Sequence, residues 1–102
     1  MNYGYEQNGG KLTVFIPKEL DHHEAGKLRA EVDMLIDTYR VRSLILDFSN
    51  TEFMDSSGIG VVIGRCRNMS FSGGEVCARN LNERVEKIFT VSGLKKIIKI
   101  EK

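Results

Sequence analysis

The sequence of 102 residues lacks features that mark several classes of protein. It has no apolar run near the ~20 residues of a membrane-spanning helix. Residues 1–6 carry neither the basic region nor the apolar segment of a secretory signal. Its 15 basic and 14 acidic residues nearly cancel, so nothing favours binding to nucleic acid or to an anionic membrane. We therefore expect a cytoplasmic protein that contacts neither directly.

Cysteine and proline are also scarce. The two cysteines, Cys66 and Cys77, are too few for a disulfide scaffold or a zinc knuckle, and we expect both to be reduced and packed. There is one proline, and no stretch rich in Pro, Gly or Ser divides the chain. Residues 1–102 are therefore expected to form one domain, which is long enough to bury a core without disulfides or bound metals.

Hydrophobic periodicity predicts an alternation of strands and helices. Strands are predicted at residues 11–16, 43–48, 75–78 and 97–100, and a further strand forms an N-terminal hairpin with the first. The run at 43–48 is continuously apolar, which is typical of a strand buried on both faces. Lysines near the C-terminus are predicted to form a solvated edge of the sheet; they are Lys95, Lys96, Lys99 and Lys102.

Apolar residues at helical spacing predict three helices between these strands. The first is expected from about Glu24 with Asp21 as a possible cap, the second follows Asp55, and the third includes Leu81 and stops near Gly93. Arg65 is predicted to lie late in the second helix, where basic residues suit the negative end of the dipole. The order β-β-α-β-α-β-α-β predicts an α/β fold, a small mixed β-sheet flanked by α-helices.

The most informative segment is Asp55-Ser56-Ser57-Gly58, where a loop becomes the second helix. Asp55 is the natural N-cap, because its carboxylate can accept a free N–H of the first turn. A phosphate on Ser56 would meet free amides and the positive end of the helix dipole. On spacing alone, a redundant capping sequence is the favoured interpretation, since Ser and Asp are common at N-caps.

Other chemistry fits the sequence less well. Gly58, Gly60 and Gly64 do not have the spacing of a dinucleotide fingerprint, and no phosphate-binding Gly-Lys-Ser/Thr is present, so they are expected to allow close packing of the helix on the sheet. With two histidines in the chain, His22 and His23, we expect neither a metal site nor a cofactor.

A Ser-His-Asp triad can be drawn from Ser56, His22 and Asp21. The chain has no Gly-x-Ser-x-Gly elbow, however, and neighbours in sequence rarely satisfy triad geometry.

Residues 53–65, FMDSSGIGVVIGR, closely resemble the signature of the STAS-domain anti-sigma-factor antagonists of bacteria. Three further segments agree in order and spacing, and the resemblance covers nearly the whole chain; they are 19–23, 44–47 and 91–98. The doubled histidine and the Gly64-Arg65 ending are similar to the sporulation-type branch that acts on sigma F.

This resemblance implies a STAS fold and a regulator that is a substrate, not an enzyme. The family's phosphorylated serine corresponds to Ser56, with Asp55, Ser57 and Gly58 beside it and Asp21 near the phosphosite. The unphosphorylated antagonist binds an anti-sigma factor, which is an ATP-dependent serine kinase, and so releases the sigma factor. Phosphorylation ends the interaction, and a separate serine phosphatase reverses it.

The sequence departs from the family at Lys18, which follows Pro17 and stands where the family usually has a glycine. This change places the local backbone in question. Two alternative functions also stay open: a small phosphocarrier or nucleotide-handling enzyme that uses Ser56 and the adjacent glycines, and a STAS scaffold or transport-associated module.

Overall fold

The structure is a computed structural model that describes residues 3–101. In this part of the chain the strands are β1 (Tyr5–Asn8), β2 (Lys11–Phe15), β3 (Glu19–Leu20), β4 (Ser43–Asp47), β5 (Phe53–Met54), β6 (Glu75–Arg79) and β7 (Lys99–Glu101). The helices are α1 (His22–Tyr39), α2 (Ser56–Phe71) and α3 (Glu83–Ser92), and a 3-10 turn follows at Leu94–Lys96. No helix in the described range is long and apolar enough to cross a membrane.

A five-stranded mixed sheet forms the centre of the molecule. Its strand order is β1-β2-β4-β6-β7, with β1 antiparallel to β2 and every other pair parallel. The predicted fold class and N-terminal hairpin are therefore confirmed. So is burial of the central strand on both faces, because Leu44 and Leu46 enter the core while Ile45, which points the opposite way, is 3% exposed.

One predicted helix boundary was wrong, for a reason of capping. The first helix begins at His22, directly after its predicted cap Asp21, whose carboxylate accepts the Glu24 N–H. The third helix begins at Glu83, where Asn82 caps it by accepting the Val85 N–H at 2.8 Å. Leu81 therefore precedes the helix, although it still packs against the core.

The last predicted strand is also shorter than expected. Gly93, at φ 82°, ends α3, and the N–H groups of Ile97 and Ile98 both donate to the Leu94 carbonyl at 3.1 Å. These two isoleucines belong to a turn, and β7 begins at Lys99 on the sheet edge.

The predicted solvated edge holds only in part. Lys95 and Lys96 are exposed, but they lie on the 3-10 turn and not on the strand. Lys99 is exposed on β7 itself. Lys102 lies outside the described residues. As predicted, Cys66 and Cys77 are packed: both are free and half-buried, and burial raises the pKa of each thiol.

A second, two-stranded sheet was not predicted. β3 and β5 pair in parallel, with Leu20 opposite Met54. The fully buried Thr51 holds the approach to β5, because its hydroxyl donates to the Pro17 carbonyl at 3.0 Å and its own carbonyl accepts from Asn82 Nδ2 at 2.7 Å. This small sheet positions the ends of α1 and α2.

Asp47, at the end of β4, is a buried carboxylate with hydrogen bonds on both oxygens. Oδ1 accepts the Ser49 N–H at 2.9 Å, and Oδ2 accepts from Arg79 Nη2 and Asn80 Nδ2, each at 3.0 Å. Burial acts to raise the pKa of Asp47, but these hydrogen bonds outweigh it and hold the pKa below its usual value.

This depressed pKa predicts a loss of stability in acid. The contribution of Asp47 is present above the unfolded-state pKa of about 3.9 and is lost as the pH falls through the lower native pKa. We expect Asp47→Asn to cost about 2 kcal/mol at pH 7 and much less at pH 2, measured by urea unfolding. Asp37→Asn, at an exposed site in α1, is the control. An equal cost of Asp47→Asn at both pH values would contradict this account.

Candidate functional site

The N-termini of α1 and α2 lie side by side because of the small sheet. β3 leads directly into Asp21 and β5 leads directly into Asp55, and the two strands are paired in parallel. The two aspartates therefore occupy equivalent positions, each an N-cap in extended conformation. The positive ends of two helix dipoles meet at this point.

The Asp55 carboxylate ties these two helix ends together. Its Oδ1 accepts the N–H groups of Ser57 at 2.8 Å and Gly58 at 3.1 Å, as the predicted cap of α2. Its Oδ2 accepts the His22 N–H at 2.9 Å, at the start of the other helix. The bond from Gly58, followed by those from His22 and Ser57, lowers the pKa of Asp55.

Asp21 caps α1 in the same way as Asp55 caps α2. Its Oδ1 accepts the Glu24 N–H at 3.0 Å, and its carbonyl accepts the Ala25 N–H at 2.9 Å. The Glu24 carboxylate in turn accepts a hydrogen bond from the Tyr3 hydroxyl. Capping by Asp21 is therefore confirmed, and a further role for its charge stays a prediction.

The two serines differ in environment. Ser56 is exposed, and its hydroxyl makes no hydrogen bond with any residue between 3 and 101. Ser57 is half-buried, and its Oγ lies 3.2 Å from Nδ1 of His22. Of the two, Ser56 is the hydroxyl that a second protein can reach without breaking a contact.

One expectation about the phosphosite holds only in part. The amides of Ser57 and Gly58 are not free for a phosphate, because Asp55 already accepts both. A phosphate on Ser56 would keep the favourable dipole field but would lack these two donors. It would therefore stay at the molecular surface.

The glycines of α2 have two different environments. A Cβ on Gly58 would stand 2.4 Å from the Leu20 carbonyl oxygen, so this glycine is required for the close approach of α2 to β3. A Cβ on Gly60 or Gly64 would meet nothing within 4 Å. The prediction of close packing is right for Gly58 and wrong for the other two, which open onto a space between α1 and α2.

The geometry does not assemble the alternative sites. Between residues 3 and 101 no three His, Cys, Asp or Glu side chains are grouped as metal ligands. His22 contacts Ser57 and not Ser56, while Asp21 is engaged with a backbone amide, so the triad drawn from the sequence does not form. His23 lies apart, with Nε2 3.4 Å from Lys27 Nζ.

The departure at Lys18 does not strain the backbone. Lys18 is not among the described residues with positive φ, so a lysine is accommodated where the family usually has a glycine. Its carbonyl accepts the Glu52 N–H at 2.7 Å, and its exposed ammonium lies 3.5 Å from the Glu52 carboxylate. Both contacts help to hold β3 beside β5.

The family model for the STAS domain matches residues 3–102. The chain belongs to the STAS domain family. It is 37% identical over 95 residues to the anti-sigma F factor antagonist of Paenibacillus polymyxa, covering 93% of this chain and 81% of that protein. This finding confirms the resemblance deduced from residues 53–65.

Two solved structures of the anti-sigma factor antagonist SpoIIAA share this STAS fold. The unphosphorylated form matches with a TM-score of 0.84 and 31% identity, over 98% of this chain and 88% of that one. The phosphorylated form, from Bacillus, matches with a TM-score of 0.76 and 30% identity, over 98% and 91%. A STAS fold of this kind therefore exists in both phosphorylation states.

Sequence reasoning missed two partners within the site. The His22 amide holds the second oxygen of Asp55, and the Leu20 carbonyl forces residue 58 to be glycine. Both depend on the pairing of β3 with β5, and strands of two residues are too short to show a period. The available signal was that Asp21 and Asp55 each directly follow a buried apolar residue, Leu20 and Met54 respectively.

Proposed function

We propose that this chain is an anti-sigma-factor antagonist whose binding to an anti-sigma factor kinase is switched off by phosphorylation of Ser56. One observation carries the proposal: Ser56 is exposed where the N-termini of α1 and α2 meet, and its hydroxyl is unengaged by residues 3–101. The relative from Paenibacillus polymyxa is named as such an antagonist, and SpoIIAA occurs in both phosphorylation states. Their similarity to this chain supports the proposal.

For phosphoryl transfer, this chain needs only to place the Ser56 hydroxyl in the active site of the kinase. Oγ of Ser56 attacks the γ-phosphorus of ATP, a P–O bond to Oγ forms, the P–O bond to ADP breaks, and the hydroxyl proton passes to a base of the kinase. No carboxylate or imidazole within residues 3–101 is hydrogen-bonded to Ser56 Oγ. The chain thus acts as acceptor, and a separate serine phosphatase restores the hydroxyl.

The phosphate ends binding through its charge. It adds −1.5 to −2 charges at the surface that faces the kinase. Because Asp55 occupies the nearby amides of Ser57 and Gly58, the dianion is not neutralised by these donors. An uncompensated charge within an interface costs desolvation and meets any like charge on the partner.

A reconstitution tests this function. The chain is added to a complex of sigma factor with its anti-sigma factor kinase, and free sigma factor is measured by size-exclusion chromatography. We expect release with ADP, and loss of release when the chain has first been phosphorylated. The isolated chain with ATP serves as control and should show no turnover. Failure to release sigma factor in either form would contradict the proposed function.

Asp21 is predicted to contribute its charge as well as its cap. Asp21→Asn keeps an oxygen for the Glu24 N–H, because Asn caps about as well as Asp, so stability should match the parent. We expect the phosphorylation rate to fall at least fivefold, since the charge that faces the kinase is lost. Asp37→Asn, on the exposed side of α1, should leave the rate unchanged. A time course for Asp21→Asn that superimposes on the parent's would assign Asp21 to capping alone.

A further inference from the structure

A groove runs between α1 and α2 from the phosphosite toward the far ends of both helices. We call it the α1–α2 groove; the lining residues used here are Gly26, Arg29, Ser57, Gly60, Gly64 and Arg65. Its volume is about 350 Å³. A Cβ at any of the three glycines would meet nothing within 4 Å, so a second chain can approach both helix backbones closely.

Arg65 gives this groove a specific chemistry. The side chain is 6% exposed, and its Nε lies 3.0 Å from Asp33 Oδ1. Nε and Nη1 are both buried, and neither makes a hydrogen bond with any residue from 3 to 101, so the contact with Asp33 is an ion pair without hydrogen-bond geometry. A buried donor without an acceptor costs free energy. An acceptor from another molecule would therefore be favourable here, since residues 3–101 supply none.

The end of the groove away from the phosphosite, where Arg29 and Arg65 lie, is positively charged. Arg29, exposed on α1, is close enough to disfavour the charge on Arg65, whose pKa is lowered by burial first and by Arg29 in addition. Asp33 offsets one of the two guanidiniums. A second carboxylate, supplied from outside, would balance the charge of the other guanidinium.

We propose that the α1–α2 groove receives an acidic segment of the anti-sigma factor kinase, with a carboxylate of that segment paired to Arg65 and Arg29. The proposal rests on the proposed function, which supplies the partner. A protein segment is favoured as the occupant because the groove is continuous with Ser57, so the kinase that reaches Ser56 already lies at one end of it.

The glycines allow a test in which stability and binding move in opposite directions. In a helix, Gly→Ala raises stability where the new Cβ is free of contacts, as at Gly60 and Gly64. We expect Gly60→Ala and Gly64→Ala to unfold at higher urea concentration but to bind ADP-loaded kinase at least fivefold more weakly, and Gly64→Gln to bind more weakly still. Ser70→Ala, at an exposed position of α2 on the side that faces Gly93 and Leu94, should leave binding unchanged.

Charge is tested by a second matched pair. Arg29→Gln should weaken binding at least fivefold and reduce its dependence on salt, because it removes a cation from the groove. Lys27→Gln removes a cation from the same helix outside the groove and should leave binding within twofold.

Each outcome bears on the proposal. If the glycine variants and Arg29→Gln bind like the parent and Ser56 is still phosphorylated, the groove is not a binding site for the kinase, and the proposed function stays intact. No binding by the parent would contradict both. Self-association of the parent, measured by sedimentation and abolished by the same variants, would assign the groove to a second copy and also overturn the proposal.

Discussion

Substituting Ser56 by alanine is expected to abolish phosphorylation of this chain by the anti-sigma factor kinase. The hydroxyl of Ser56 is exposed and unengaged within the described residues, whereas that of Ser57 lies 3.2 Å from His22 Nδ1 in a half-buried position. Incubation with kinase and ATP followed by peptide mapping should find one phosphoryl group on the parent and none on Ser56→Ala.

Ser57→Ala is the matched control and should still be phosphorylated. Ser56→Ala should fold with a stability within about 1 kcal/mol of the parent, because Asp55 caps α2 through the amides of Ser57 and Gly58 whatever side chain residue 56 carries. Phosphate found on Ser57 with none on Ser56 would refute the assignment.

Gly58→Ala is expected to have the largest effect on folding. Its Cβ would stand 2.4 Å from the Leu20 carbonyl oxygen and 2.9 Å from Leu20 Cγ, and a backbone atom cannot rotate away. Either α2 or β3 must shift, which we expect to cost about 2–3 kcal/mol in the free energy of unfolding. Phosphorylation should slow as well, since the shift would misplace Ser56.

Gly60→Ala provides the contrast from the same helix. It adds the same methyl group into open space, so it should stabilise the protein by about 0.5–1 kcal/mol. Urea unfolding of the two variants beside the parent checks that the free energy of unfolding falls for Gly58→Ala and rises for Gly60→Ala. If Gly58→Ala proved as stable as the parent, α2 would not lie as close to β3 as described.

Much of the fold was predictable because it depends on local pattern. The apolar run of β4, the apolar faces of the helices and the capping residues Asp21 and Asp55 are all visible in the sequence, and the structure places them as predicted. The motif of residues 53–65 also predicted the family, which the match to the STAS domain confirms.

What could not be predicted depends on contacts between distant segments. Arg65 was expected only to suit the dipole late in its helix, whereas packing of α2 against α1 buries its guanidinium beside Asp33. The link from Asp55 to the His22 amide spans 33 residues and exists because β3 pairs with β5. Neither feature has a periodic signature in the sequence.

The most direct test of the phosphoswitch is the affinity of the ADP-loaded anti-sigma factor kinase for the two forms of this chain, measured by isothermal titration calorimetry. The account predicts near-identical circular dichroism for the two forms and binding that is at least about tenfold weaker, or 1.4 kcal/mol, after phosphorylation of Ser56. Equal affinity of the phosphorylated and unphosphorylated chains for the kinase would contradict it.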